Sequence, residues 1–409
     1  MRNNWRVTLA AAWLAQFLCI VGFAAVGPFF PFYIRELGIT DLDQVTLWAG
    51  ILGTAGAASM ALTSPIWGVL ADRHGRKIMV QRATFGGAVV LGAMAFVSNV
   101  QQLFMLRLLQ GMLTGTVSAF MALVATIAPP SQVGFSLGIM QMAVYTGASV
   151  GPMLGGLIAD QFGYRWVFGV TGILLLAGGL LALLLVHENF VKPQGKRPNS
   201  LADGARTITH TMPVLGAIIA LAGASLGNAT PSPVLPLLVE SLQEGSARVN
   251  TATGTVYGAS AIAGALAAIL IGRLVDRRPA RVIMLACAAG AVVAYASQAL
   301  APSYAVLVAA NFLTGFCGGG LMLSANSTLA RAAPKEQQGA IYGMSNSLGS
   351  TGAALGPMLG AAVATSWGLR APFAAAAFLL ALVAVWVAYS LKPRQDAQEP
   401  SADRANPRQ

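Results

Sequence analysis

Twelve apolar runs set the terms for this chain. They lie near residues 8–35, 46–71, 78–98, 101–127, 135–159, 165–187, 213–239, 250–275, 280–299, 303–330, 338–365 and 369–391. Each is long enough to cross a hydrocarbon core of ~30 Å. Only 10% of the residues are charged, against about 25% in an ordinary soluble domain. In lipid every backbone N–H and C=O must be satisfied within its own segment, so the runs are expected to be helices. They are numbered spans 1–12.

The net charge of +11 suggests a nucleic-acid partner until the charges are mapped. With both termini in the cytoplasm, the inner loops and ends collect Arg2, Arg6, Arg73, Arg76, Lys77, Arg82, Lys192, Lys196, Arg197, Arg206, Arg273, Arg277, Arg278, Arg281, Arg331, Lys335, Lys392, Arg394, Arg404 and Arg408. The outer side keeps Arg35, Arg165, Arg248 and Arg370, and Arg107 lies inside a span. This is the positive-inside pattern, so the basic excess reports topology and no nucleic-acid partner is expected. Cys19, Cys287 and Cys317 all fall within apolar runs and imply no disulfide framework. The first run has the flanks of a secretory signal but is too long for one, and it has a counterpart in the second half.

That counterpart belongs to a duplication. Gly147-Ala-Ser-Val-Gly151-Pro152-Met-Leu-Gly155-Gly156 returns as Gly352-Ala-Ala-Leu-Gly356-Pro357-Met-Leu-Gly360, 205 positions later. Gly163, Arg165 and Phe168 return as Gly368, Arg370 and Phe373, and Pro28 and Pro31 as Pro233 and Pro236. Gly68 through Asp72 matches Gly272 through Asp276, and Arg107 and Gly111 match Asn311 and Gly315, at an offset of 204. Six spans on each side of an inner linker make the halves parallel repeats, a plan of transporters that rock one half against the other. The expected organisation is a six-helix bundle at 1–187, a linker at 188–212, a second bundle at 213–391 and a disordered tail at 392–409.

Between spans 2 and 3, Gly68-Val-Leu-Ala-Asp72-Arg73-His74-Gly75-Arg76-Lys77 reverses the chain tightly. Gly75 supplies a backbone angle that other residues avoid. Asp72 can cap a helix start or pair with a neighbouring arginine, and Gly68 permits close helix contact. The second copy keeps Gly272, Asp276 and Arg277 but has Pro279 and Ala280 where Gly75 and Arg76 would fall. This loop resembles the cytoplasmic signature of the major facilitator superfamily. The resemblance implies a latch that closes the inner face when the outer face opens; the alternative is a simple positive-inside anchor.

In span 5, Gly147, Gly151 and Gly155 share a helical face that lets another backbone approach, and Pro152 permits a bend. The full run, with Gly156 and its copy Gly352, Gly356, Pro357 and Gly360, resembles the antiporter motif of the same superfamily. In span 4, Arg107 is the one charge far from a span end, and Gln110, Gly111, Thr114 and Ser118 share its face. A charge at the bilayer centre costs roughly 2.5–3.5 kcal/mol on insertion scales and usually faces a cavity, although snorkelling is the alternative. Arg-x-x-Gln-Gly resembles the span 4 signature of drug:proton antiporters, which implies a part for Arg107 in proton coupling.

Gln16, Gln141, Tyr145, Asn228, Tyr257, Asn311, Asn326 and Asn346 are further polar groups inside spans, and Gln141 and Asn346 are repeat partners. They are candidates for cavity lining, with interhelical hydrogen bonds as the alternative. Met112, Met140, Met142, Phe23 and Phe120 suit an adaptable apolar lining. No acid lies mid-span; Glu36, Glu240 and Asp160 sit at outer ends and Asp72 at an inner one. Glu36 and Asp72 join Arg107 as candidates for proton coupling. His74, His187 and His210 lie near the inner surface.

Over residues 5–391 the chain resembles bacterial twelve-span multidrug efflux transporters of the superfamily, in particular the MdtG-like group, on Pro28-Phe-Phe-Pro31-Phe-Tyr33-Ile-Arg-Glu36 and the loop from Trp67 to Lys77. The resemblance implies an all-α membrane fold of two pseudo-symmetric six-helix halves. It implies export of small, largely hydrophobic or cationic compounds across a bacterial cytoplasmic membrane by proton antiport, through a cavity lined by spans 1, 4, 7 and 10 and bordered by spans 2, 5, 8 and 11. A metabolite exporter (sugar, amino acid or organic acid) and an uncoupled facilitator are the rivals. Substrates, protons and membrane lipid are the expected partners. No cofactor, metal or catalytic cluster is expected, and a monomer is expected to suffice.

Overall fold

The computed structural model describes residues 5–188, 211–243, 246–275, 277–332 and 338–390, the side chains of Asp72, Pro130, 338–340 and Tyr342 excepted. The greater part of the expected linker, the tail and Asp276 lie outside the described residues, as does the Asp72 side chain.

Among the described residues all extended secondary structure is helical. Span 1 is Trp5–Val26, a 3-10 turn at Gly27–Phe29, and Phe30–Glu36. Pro28 and Pro31 account for the jog, since each removes an amide donor and crowds the preceding turn. Span 7 repeats the device, with Met212–Ala229 and Leu235–Leu242 flanking Pro231 and Pro233. Spans 2, 3, 5 and 6 are Leu42–His74, Arg76–Met94, Val133–Phe162 and Tyr164–Leu185. Spans 8–12 are Val249–Val275, Ala280–Ala299, Tyr304–Ala332, Gln338–Trp367 and Ala371–Ser390. Ten of the twelve spans are long and apolar enough to cross a membrane by composition. Spans 3 and 11 fall short: the first opens on Arg76, Lys77 and Arg82, and the second carries Ser345, Asn346, Ser347, Ser350 and Thr351.

Span 4 departs from expectation. Its helix stops at Leu113 and restarts at Thr116, with Gly115 at φ +113° between Val100–Leu113 and Thr116–Ile127. A positive φ is cheap only for glycine. Its repeat equivalent in span 10, Gly319, lies inside an unbroken helix. Positive φ also marks Gly75, Gly163 and Gly368, each at the reversal between two consecutive spans, and Gly163 and Gly368 are repeat partners.

The apolar core divides. One cluster runs from Leu9 to Val186 with Leu237 added, another from Ala220 to Val387, and a small third gathers Val214, Ala217, Ile218, Leu329 and Ile341. The glycine strips decide how the spans meet. A Cβ at Gly147, Gly151 or Gly155 would strike span 1, at Ile20, Val21 and Ala25 respectively. In the second half a Cβ at Gly352, Gly356 or Gly360 would strike span 7, at Ala222, Ala229 and Thr230. These strips therefore pack within each half. Between halves, Gly254 and Gly258 of span 8 press on Pro152, Ser149 and Met153 of span 5, and Gly50 and Gly53 of span 2 press on Pro357 of span 11. The two crossings are repeat equivalents.

Candidate functional site

A cavity of about 710 Å³ lies between the halves, and it reaches the end of the molecule that carries the 68–77 reversal, the loop face, at Ala71 and Arg76. Both halves line it: Met60, Ser64 and Trp67 of span 2 face Ser225 of span 7, Met322 and Asn326 of span 10, and Asn346 of span 11. Towards the opposite face the two crossings of spans 5 with 8 and 2 with 11 fill the space between the halves.

The break in span 4 shapes one wall. It brings Thr114, Gly115, Ser118, Ala119 and Ala122 to the cavity. A helix interrupted here leaves carbonyls without intrahelical donors. Trp67 Nε1 donates to the Met112 carbonyl at 2.7 Å, with Thr63 Oγ1 at 3.4 Å, and Arg82 Nη2 donates to the Thr114 carbonyl at 3.3 Å. The Arg82 guanidinium also lies 3.8 Å from the centre of the Trp67 ring, an attractive stacking geometry. Its Nε and Nη1 are buried with no hydrogen-bond partner among the described residues. Arg82 and Arg76 are the formal charges among the described lining side chains. By charge mapping alone Arg82 is a topology signal; its position inside an apolar run, with Trp67 on the neighbouring span, is the sequence feature that points to the cavity.

Arg107 does not line this cavity. It is half-buried on the far side of the break, with Nε donating to the Leu52 carbonyl at 3.1 Å, Nη1 to Gln110 Oε1 at 2.6 Å, and its guanidinium 4.6 Å from the centre of the Phe30 ring. Snorkelling is not what it does here: it is bound to span 2. Asn311, its repeat partner, donates Nδ2 to the Val256 carbonyl at 2.9 Å. Of the expected polar stripe the break therefore delivers Thr114 and Ser118 to the cavity and keeps Arg107, Gln110 and Gly111 away from it.

The other candidates scatter. Asn326 and Asn346 line the cavity, while Gln141 and Tyr145 lie off it and half-buried, so the repeat pair Gln141 and Asn346 is split. Asn228 accepts from Tyr295 Oη at 2.7 Å, and Tyr257 Oη donates to the Ser232 carbonyl at 3.1 Å, both within the second half. Gln16 is fully buried with neither amide atom paired among the described residues. Met140 and Phe120 are core residues, and the lining methionines are Met60, Met79 and Met322.

At the loop face Gly75 sits at φ +95°, and its N–H closes span 2 on the Ala71 carbonyl at 3.0 Å. The Arg76 and Lys77 amides then donate to the two carboxylate oxygens of Glu188 at 2.9 and 2.7 Å, and Lys77 Nζ donates to the Leu183 carbonyl. The reversal is thus fastened to the end of span 6, in its own half. Glu188, a lone acid directly after an apolar run, was missed as a partner of this loop. Gly68 makes no close helix contact: a Cβ there would meet nothing within 4 Å, because the residue faces the cavity. Gly272 has ordinary space as well. Arg277 closes the end of span 8 through its amide on the Leu274 carbonyl at 3.0 Å.

Glu36 lies at the opposite face, where Arg165 Nε donates to it at 3.3 Å. Both side chains are substantially exposed, so the pair contributes little. Among the described residues, polar links cross between the halves at that face. Arg35 binds Glu240 at 2.7 Å, Tyr164 Oη donates to Asn250 Oδ1 at 3.2 Å, and Asp160 accepts from Asn250 and Thr251.

Comparisons with known proteins agree with this architecture. The sequence model described as Major Facilitator Superfamily matches residues 12–297 and 217–408. The multidrug resistance protein MdtG of Citrobacter koseri is 31% identical over 393 residues, 96% of this chain and 97% of that protein. MdtG of Klebsiella pneumoniae is 30% identical over 404 residues, 98% of each. Among solved structures, the nucleoside transporter NupG superimposes with a TM-score of 0.77 at 14% identity, covering 95% of this chain and 100% of that one. A bacterial homolog of the human lysosomal transporter Spinster, inward-facing and occupied, gives a TM-score of 0.77 at 15% identity, covering 95% and 97%. At such identities these structures speak for the fold alone.

Proposed function

The chain belongs to the Major Facilitator Superfamily, a family of multi-pass membrane transporters, and on that premise we propose that it is a drug exporter of the bacterial cytoplasmic membrane. It carries small, largely apolar compounds outward in exchange for protons, using the proton gradient and no cofactor, as a monomer. The bundles 1–187 and 213–391 rock about the cavity, and the loop face and both termini are cytoplasmic, a placement that the distribution of basic residues supports.

One observation carries this reading: the cavity lined by both halves reaches one face while paired crossings fill the space towards the other. About 710 Å³ is within the roughly 300–1,000 Å³ of drug-sized sites. Met60, Met79, Met322 and Trp67 offer an adaptable apolar surface, and Thr114, Ser118, Asn326 and Asn346 give polar contacts. In alternating access the complementary state closes this face by bringing the 68–77 reversal against the second half; the open space beside Gly68 is then the room for that approach. The fixed charge of Arg107 modulates a proton path through water, and Asp72 acts as part of the inner latch.

The test is accumulation of a fluorescent drug in inverted vesicles under an imposed proton gradient. Accumulation should require the protein and vanish when the gradient is collapsed. Persistence after collapse would leave an uncoupled facilitator and remove antiport.

A second reading, export of small organic acids, is favoured by Arg76 and Arg82 at the cavity. An aromatic carboxylate and its methyl ester separate the two. Preference for the acid, lost in Arg82→Gln, supports the organic-acid reading, and equal transport of both removes it.

A further inference from the structure

We propose that Asp160 is the latch of the opposite face, with the Arg35–Glu240 pair as its auxiliary; the proposal rests on the alternating-access reading above. Asp160 ends span 5 in the first half, and its carboxylate is used up by the second. Oδ1 accepts from the Asn250 amide at 3.3 Å and from Asn250 Nδ2 at 2.8 Å. Oδ2 accepts from the Thr251 amide at 2.8 Å and from Thr251 Oγ1 at 2.6 Å. Span 8 begins at Val249, so these amides are among the donors that a helix start leaves without intrahelical partners. A carboxylate there also meets the positive end of the helix dipole.

The repeat shows that this is an unusual way to cap the helix. Span 2, the counterpart of span 8, is capped from its own flank: Asp41 Oδ1 accepts from the Gln44 amide at 3.0 Å. The residue equivalent to Asp160 is Thr365, whose hydroxyl turns back to the Ala362 carbonyl of its own helix at 3.1 Å. One of two equivalent crossings has therefore been given a cap in trans and the other has not. The location also suits a latch. Gly156, one turn before Asp160, sits where a Cβ would run into the Asn250 backbone, and Gly254 likewise meets the Pro152 carbonyl. Contact this close cannot widen while all four hydrogen bonds to Asp160 persist.

Arg35 and Glu240 are repeat equivalents, 205 apart. In parallel repeats the pseudo-twofold axis runs along the membrane normal, so equivalent positions near it meet, and here they meet with opposite charge. At 30% and 38% side-chain exposure the pair is screened and weaker than a buried one. Asp160 therefore dominates.

The experiment uses the full-length protein with spin labels paired across the opposite face and, separately, across the loop face. Asp160→Ala should raise the ratio of opposite-face-open to closed molecules by about tenfold, the scale of a lost cap and its accompanying hydrogen bonds. Thr251→Val, which keeps volume and backbone, should raise it by about threefold, and stands in if Asp160→Ala does not fold. Arg35→Glu and Glu240→Arg should each raise it, and the double exchange should return it towards wild type. A lowered melting temperature with an unchanged ratio in Asp160→Ala and Thr251→Val would make Asp160 a static cap and overturn the proposal. Failure of the wild-type opposite face to open under any gradient or substrate would instead sink alternating access itself.

Discussion

Arg107 and Asn311 occupy equivalent positions in the two halves, and each spends one nitrogen in the same way. Arg107 donates to Leu52 and Asn311 to Val256, carbonyls that are themselves 204 positions apart. The shared bond ties span 4 to span 2 and span 10 to span 8, so it is architecture. What the first half adds is charge, held over the Phe30 ring and beside Gln110. The break at Gly115 follows two turns later, where span 10 stays whole. The two halves share the frame, and they differ in the cation and the interruption, both found in the first.

The sharpest way to break this comparison is Arg107→Asn, which writes the second half's residue into the first. Export in inverted vesicles should fall by at least about tenfold, since hydrogen bonds to a charged group carry roughly 1.5–3 kcal/mol, while expression and membrane insertion persist. Normal export would make the charge as dispensable as its absence from span 10. Next comes the glycine strip. A Cβ at Gly360 collides with the Thr230 carbonyl of its own half, so Gly360→Ala should cost about 1–3 kcal/mol of stability, read as a lower melting temperature. Gly156→Ala, whose collision is with Asn250 of the other half, should instead leave melting nearly unchanged. Equal melting for both would erase the division between packing within a half and closure between halves.

Gly115→Ala should cost about 1–2 kcal/mol because an L-residue resists that backbone region, more than Gly319→Ala, which has no such backbone strain in its continuous helix and meets only the tight approach of the Gly264 backbone at 3.2 Å. Thermal unfolding of the pair in one detergent decides it. The smallest expected effect is Trp67→Phe, which keeps a ring beneath Arg82 but deletes the donor to Met112. About 0.5–1.5 kcal/mol should be lost, with protease sensitivity rising near the span 4 break. An unchanged cleavage pattern would mean that the break does not depend on its side-chain caps.

Much of the molecule was legible from residues near one another in the chain. Gly75, Gly163 and Gly368 announce their reversals, and the prolines of spans 1 and 7 announce the jogs, because φ limits and missing donors act locally. The Gly115 break was not legible, since a glycine in an apolar run reads equally well as helix packing. Its carbonyls are answered by Trp67 and Arg82, 45 and 32 positions away. Nor could repeat logic tell that Asn346 would face the cavity and Gln141 would not. Asp160 sits with its donors 90 and 91 positions distant, so its partner was invisible until the halves met.

Sequence alone determined that this is a duplicated set of membrane-crossing helices, where each reverses, and which stretches are smooth enough for close approach. Hydrophobic length, backbone permissiveness and repeat spacing are properties of short segments and survive any rearrangement of the bundle. Tertiary structure decided which face of each helix meets the cavity, which half each glycine strip serves, and which end of the molecule is shut. Those follow from helix rotation and from contacts between distant residues, and two packings of the same helices answer them differently.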